Sequence, residues 1–112
     1  MLFRSNRRLG DFAGLTNFGV NLTRITPGGQ SSYRHAHSKQ DEFIYVLEGE
    51  VEQWVERECR VLKPGDSAHI PAGLVHATFN PTKEDAVILA ILSPGVSKGP
   101  FMVDVSGEAP WK

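Results

Sequence analysis

The sequence predicts an all-β domain, an antiparallel sandwich or barrel, on three observations. Glycine and proline interrupt the chain every six to twelve residues, at Pro27-Gly28-Gly29, Gly49, Pro64-Gly65, Pro71-Ala72-Gly73, Pro81, Pro94-Gly95 and Gly99-Pro100, leaving no room for long helices. The segments between these breaks are short and rich in β-branched and aromatic residues. About eight such strands in one small chain suit a fold in which pairing or closing the sheets protects their edges.

In chain order the predicted strands are 18–26, 31–37, 42–48, 50–55, 59–63, 66–70, 74–80 and 86–93. Within 50–55, Val51, Gln53 and Val55 alternate with Glu52, Trp54 and Glu56, the pattern of a strand with one wet face. The last strand differs, because Ala86 to Leu92 is apolar on both faces. Its outer face needs cover from the second sheet or from another subunit, so a homodimer is expected. Trp54, on an otherwise acidic face, is either a second dimer anchor or an ordinary exposed aromatic. The first seventeen residues and the stretch from Lys98 through Trp111 are read as arms around a barrel of about 18–93, within one domain spanning 1–112. Arg4, Arg7 and Arg8 are read as a solvated, frayed N-terminus.

Size and charge bound the function. The chain has 112 residues, 12 basic and 13 acidic side chains and a net charge of −1, which allows one modest core and excludes a two-domain enzyme. Without a cationic surface, generic nucleic-acid binding is not expected. Cys59 is the only cysteine, so neither an intramolecular disulfide nor a paired-thiolate metal site can form. The longest apolar run, Ala86 to Leu92, is far short of the roughly 20 residues of a membrane span. MLFRSNRRLG has no apolar stretch behind its charges, so no secretory signal is read and a cytoplasmic protein is expected.

The four histidines carry most of the functional information. His35 and His37 lie two apart in a strand-like segment, so their imidazoles project to one side. The intervening SKQD can turn the chain so that Glu42 opens the next strand, and His76, in a later strand, can complete a set of three nitrogens and one oxygen. Taken alone, such a pair of histidines on an exposed strand binds nothing specific.

The glycine and proline framework separates these readings. GQSSYRHAHSKQDEFIYVLEG places Gly29, His35, His37, Glu42 and Gly49 with intervals of five, one, four and six residues. GDSAHIPAGLVHATFN places Gly65, Pro71, Gly73, His76 and Asn80 with intervals of five, one, two and three. These strings resemble the two motifs of the cupin superfamily at every defining position. The resemblance covers residues 29–80 by motif and implies a double-stranded β-helix, or jelly-roll, barrel, with dimers usual. It also implies His35, His37, Glu42 and His76 as metal ligands. Gly49 and Gly65 sit where a tight bend calls for positive φ, Pro71 and Gly73 would re-aim the chain so that His76 returns to the lumen, and Asn80 before Pro81 is read as closing a turn through its amide.

One divalent transition metal per chain is therefore expected. Three imidazoles and a carboxylate suit Fe(II), Mn(II), Co(II), Ni(II) or Zn(II), with Fe or Mn favoured. An octahedral ion would keep two positions open, whereas zinc would more readily stop at four ligands. Strand parity nominates Tyr33, Gln53 and Thr78 for substrate binding, and His69 and Tyr33 as candidate catalytic groups, His69 serving as acid or base if it faces the lumen. Glu48 and Glu50 flank a turn and are read as solvated.

Three functions follow. The first is a metal-dependent enzyme acting on a small oxygenated molecule, by dioxygenase-type oxidative cleavage ahead of decarboxylation, isomerisation or elimination. The second is a non-catalytic module in which metal anchors a small ligand for sensing. The third is a metal-free barrel of the sugar-nucleotide epimerase kind, working through a histidine and a carboxylate.

Overall fold

The computed structural model describes residues 4–31, 35–37, 40–94 and 102–104, with 35–37 and 102–104 described as backbone only. Two five-stranded antiparallel sheets face each other. The first has the order β1 (Arg4–Arg8), β2 (Gly19–Ile25), β9 (Ala86–Ser93), β4 (Asp41–Glu48), β7 (Ser67–Ile70). The second has the order β10 (Met102–Asp104), β3 (His35–His37), β8 (His76–Phe79), β5 (Val51–Val55), β6 (Glu58–Leu62). Consecutive strands alternate between the sheets through much of the chain, which brings residues far apart in sequence into one interior. The only helix among the described residues is α1 (Leu9–Ala13), and no described helix is long and apolar enough to cross a membrane.

Seven of the eight predicted strands are present, most with ends shifted by a residue or two; of the eighth, 31–37, the described part is strand over His35–His37, and 32–34 lie outside the described residues. The N-terminal segment is a correction. Arg4–Arg8 is solvated but not frayed: this part of the arm pairs residue for residue with β2, Arg4 opposite Ile25 and Arg8 opposite Asn21. β2 would otherwise present a row of unpaired backbone groups, which the polar segment RSNRR satisfies without burying a side chain. Thr23 donates to Asn6 Oδ1 at 2.7 Å, and Arg8 pairs with Asp11 at 2.8 Å. From the C-terminal arm, β10 pairs with β3.

The two sheets differ in what they send inward. The first contributes Ile25, Ile44, Val46, Ile70, Ala86, Ile88 and Ala90, and these with Val51 and Leu62 of the second form the apolar core. The second sheet also buries Gln53, His76 and Thr78. The interior is thus mostly apolar on the first sheet and mixed on the second, and the candidate chemistry lies between them, with Glu42 from the first and His76 from the second. The outer face of the first sheet is not covered by the second. Phe43, Tyr45 and Leu47 are 38%, 37% and 44% exposed there, beside half-buried Leu89 and Ile91.

Two turns need glycine. Gly49, at φ 74°, links β4 to β5, and a Cβ there would stand 2.5 Å from the Asp85 carbonyl oxygen. Gly65, at φ 91°, follows Pro64 and opens toward solvent; its N–H donates to the Val46 carbonyl at 2.9 Å. Asn80 closes the turn that the Asn-Pro pair predicts. Its Oδ1 accepts the Thr82 N–H and hydroxyl at 2.9 and 2.7 Å, and its Nδ2 donates to the Ile25 and Glu84 carbonyls at 2.9 and 2.7 Å. This amide ties the end of β8 to β2.

Candidate metal centre and adjoining cavity

Strand parity places Glu42. It lies two residues before Ile44 and four before Val46, both buried, and directly across from buried Ile70. The β4 alternation therefore directs it to the interior side of the first sheet. His76 arrives from the facing sheet. The turn after β7 runs through Pro71 to Gly73, where φ is 88°, and the Ala72 N–H donates to Asp41 Oδ1 at 2.9 Å, holding that turn against the start of β4. The chain re-enters the barrel with His76 only 3% exposed.

His76 Nδ1 lies 3.0 Å from the Leu74 carbonyl oxygen. A carbonyl only accepts, so Nδ1 carries the proton and the neutral ring presents its lone pair at Nε2. Nε2 points at Glu42, 3.4 Å from Oε1. Burial pulls the His76 pKa down, but the Glu42 carboxylate and the Leu74 carbonyl outweigh it and raise the pKa above the ordinary histidine value. A ring fixed by a backbone carbonyl and aimed at a carboxylate is a common setting for a metal-bound histidine.

The pair also fits one ion by size. Two donors each about 2.0–2.1 Å from a shared cation stand about 2.9–3.4 Å apart at octahedral to tetrahedral angles, and the observed separation is 3.4 Å. The β3–β8 ladder pairs His35 with His76, with His37 two residues along the same strand. The side chains of His35 and His37 lie outside the described residues, and no cluster of three potential ligands occurs among the described ones.

Gln53 and Thr78 lie opposite each other in the β5–β8 ladder, both buried. The Thr78 hydroxyl donates to Gln53 Oε1 at 2.5 Å, and Gln53 Nε2 donates to the Ala77 and Trp54 carbonyls at 3.2 Å. Both amide hydrogens of Gln53 are thus engaged within the sheet, so its first duty is to satisfy the polar groups of that sheet. Tyr33 lies outside the described residues.

His69 lies at the rim of the cavity between β6 and β7 and not inside the barrel core. It pairs with exposed Phe43 and has opposite parity to buried Ile70, so it belongs to the outer face; its side chain is 59% exposed and 3.9 Å from Asp41. The motif does not specify which parity of β7 faces in. Packing does.

A cavity of about 370 Å³ lies at the seam between the edge strands β6 and β7, one residue removed from His76. Gln53, Val55, Arg60, Leu62, Ala68 and Leu74 line much of it. Val55 is directly across the ladder from His76, and Leu74 is the residue whose carbonyl holds the His76 ring. Arg60 is a residue that sequence reading passed over. Its inward parity follows from register, since Val51 pairs with Leu62, both buried, and Gln53 pairs with Arg60 on the same face.

Comparison with known proteins agrees with this architecture. A crystal structure of a sugar phosphate isomerase of the cupin superfamily from Silicibacter pomeroyi superimposes with a TM-score of 0.78 and 38% identity, over 93% of this chain and 73% of that one. An uncharacterized protein of Aquifex aeolicus is 45% identical over 64 residues, 57% of this chain and 52% of its own. The quercetin 2,3-dioxygenase of Bacillus subtilis is 31% identical over 70 residues, 62% of this chain and 20% of its own. The chain thus spans about half the length of the Aquifex protein and a fifth of the dioxygenase. The cupin domain family itself matches residues 21–92, from β2 to β9 and across both motifs, and this chain is a member of it.

Proposed function

We propose that this chain is a divalent-metal-dependent cupin enzyme acting on a small oxygenated substrate, with His35, His37, Glu42 and His76 as the metal ligands. The observation that carries the reading is the buried His76 ring, its Nδ1 proton held by Leu74 and its Nε2 turned to Glu42. A bound divalent ion would supply Lewis acidity to a carbonyl or hydroxyl oxygen of the substrate, and Fe or Mn remains favoured. The chain's own groups do the rest. Val55, Leu62 and Ala68 keep the cavity wall apolar and limit water. The Gln53–Thr78 pair holds β5 and β8 in register beneath it.

Two reaction classes stand within this reading. Isomerisation of a hydroxy-carbonyl compound is supported by the Silicibacter relative, which covers nearly the whole chain. Oxidative cleavage, favoured on sequence alone, is supported by the dioxygenase, of which the chain spans a smaller share. We place isomerisation first on that difference in coverage.

Protein purified anaerobically without affinity nickel is expected to hold a divalent metal by elemental analysis. Chelation by EDTA is expected to lower Tm, and His76→Ala to remove most of that sensitivity, because binding to a folded site stabilises the fold. Unchanged melting in both experiments would refute the reading and favour a metal-free barrel. We also propose a homodimer formed through the outer face of the first sheet, supported by the exposed Phe43, Tyr45 and Leu47. Sedimentation of Phe43→Arg as a monomer against a dimeric parent tests it.

A further inference from the structure

The inward face of β6 carries a charge in an unusual place. Along this edge strand the inward positions are Leu62, Arg60 and Glu58, across the ladder from Val51, Gln53 and Val55. Leu62, Val51 and Gln53 are buried, but Arg60 stays accessible because the cavity opens over it. Its guanidinium belongs to none of the ion pairs or side-chain hydrogen bonds among the described residues. Glu58 shares its face and lines the same cavity, yet the two form no ion pair. His69, the other titratable residue on the cavity wall, pairs loosely with Asp41 instead.

A guanidinium offers five donors in a planar fork and keeps its charge at any ordinary pH. Exposed at the rim of a partly enclosed cavity, it can meet an anion with two parallel N–H donors, and this fork more than burial supplies the attraction. The cavity, at about 370 Å³, is within the range of small-ligand sites. Arg60 lies two strands from His76 and one inward position along. At about 4.8 Å per strand and about 3.3 Å per residue, the two backbones stand about 12 Å apart. Both positions lie on the inward-parity side of the second sheet, and a molecule of a few carbons has the length to span that interval.

We propose that Arg60 and the cavity it lines form an oxyanion subsite, which takes the phosphate or carboxylate of a small hydroxylated substrate whose other end reaches the candidate metal centre. The link to substrate rests on the metal-dependent reading above; the anion site itself does not, and it can be tested with metal removed.

The probes are inorganic phosphate and acetate, titrated against chloride at matched ionic strength, with Tm as the readout on EDTA-treated full-length protein. Phosphate, acetate or both are expected to raise Tm in the parent, and whichever acts identifies the preferred anion. Arg60→Ala is expected to weaken that anion's binding by about tenfold to a hundredfold, the loss of a charge-assisted contact. Arg60→Lys, which keeps charge but loses the fork, is expected to fall between. Arg57→Ala, which removes an exposed arginine from the adjacent turn, is expected to behave as the parent. Far-UV circular dichroism and Tm without anion verify folding of each variant. No anion-dependent shift in the parent, or an equal shift in Arg60→Ala, overturns the subsite. Loss of EDTA sensitivity in the parent overturns the metal reading alone.

Discussion

Asn80→Ala tests the account of how the barrel is tied together. The Asn80 side chain is fully buried and makes four hydrogen bonds. Alanine strands their partners unequally. Ile25 is buried and its carbonyl loses an amide donor, whereas Glu84 is exposed and Thr82 half-buried, so water can replace the amide there. An unmet buried acceptor costs about 1–3 kcal/mol and each of the three replaceable bonds about 0.5–1 kcal/mol, for a loss of about 2.5–6 kcal/mol. Against a total stability of about 5–15 kcal/mol, that is a large fraction, equivalent to about 10–25 °C in Tm at about 4 °C per kcal/mol.

Urea unfolding followed by tryptophan fluorescence measures the loss directly, and an unchanged m-value would confirm that the unfolded reference is the same. Asn80→Asp sharpens the test. It keeps an acceptor for Thr82 but turns a carboxylate toward two carbonyls, so at neutral pH it should be at least as unstable as alanine. Acid, by restoring one O–H donor, should recover part of the loss relative to the parent. An alanine variant within about 1 kcal/mol of the parent, or an aspartate variant as stable as the parent, would refute the reasoning.

Three further outcomes are expected. Gly49→Ala and Gly65→Ala share the backbone strain of positive φ, about 1–2 kcal/mol, but only the Gly49 Cβ meets backbone atoms at 2.5 and 2.8 Å. Gly49→Ala should therefore be the more damaging by about 1–3 kcal/mol in chemical denaturation. Thr78→Val keeps the shape but leaves Gln53 Oε1 without its hydroxyl donor, and should lose about 1–2 kcal/mol; a double-mutant cycle with Gln53→Leu showing no coupling would contradict the pairing. In metal-free protein the raised His76 pKa adds stability that is fully present below the unfolded value of about 6.5 and is lost as pH rises through the folded value. Tm of the EDTA-treated parent, referenced to Glu42→Gln, should decline across that interval.

Much of the fold was legible because its signals are local. A glycine at positive φ, an asparagine before proline, or a run such as AVILAILS expresses its preference over a few residues, and Gly49, Asn80 and β9 each behave as their neighbourhoods indicate. Arg4–Arg8 was not legible as a strand, since all its side chains are exposed and no alternation marks it. The facing of His69 was open in the sequence for a related reason: SAHI alternates, but which parity faces the core depends on Ile70 packing against another strand.

The sequence alone determined the approximate limits of most central strands, from β2 to β9, the bends between them and the candidate ligand residues, because torsional preference and short-range spacing are written into consecutive positions. Tertiary structure decided which side of each strand became the interior. It set Leu74 to orient His76, engaged Gln53 with Thr78, turned His69 outward and left Arg60 facing a cavity. Those outcomes depend on register between segments tens of residues apart, where a slip of one position exchanges the faces of a strand.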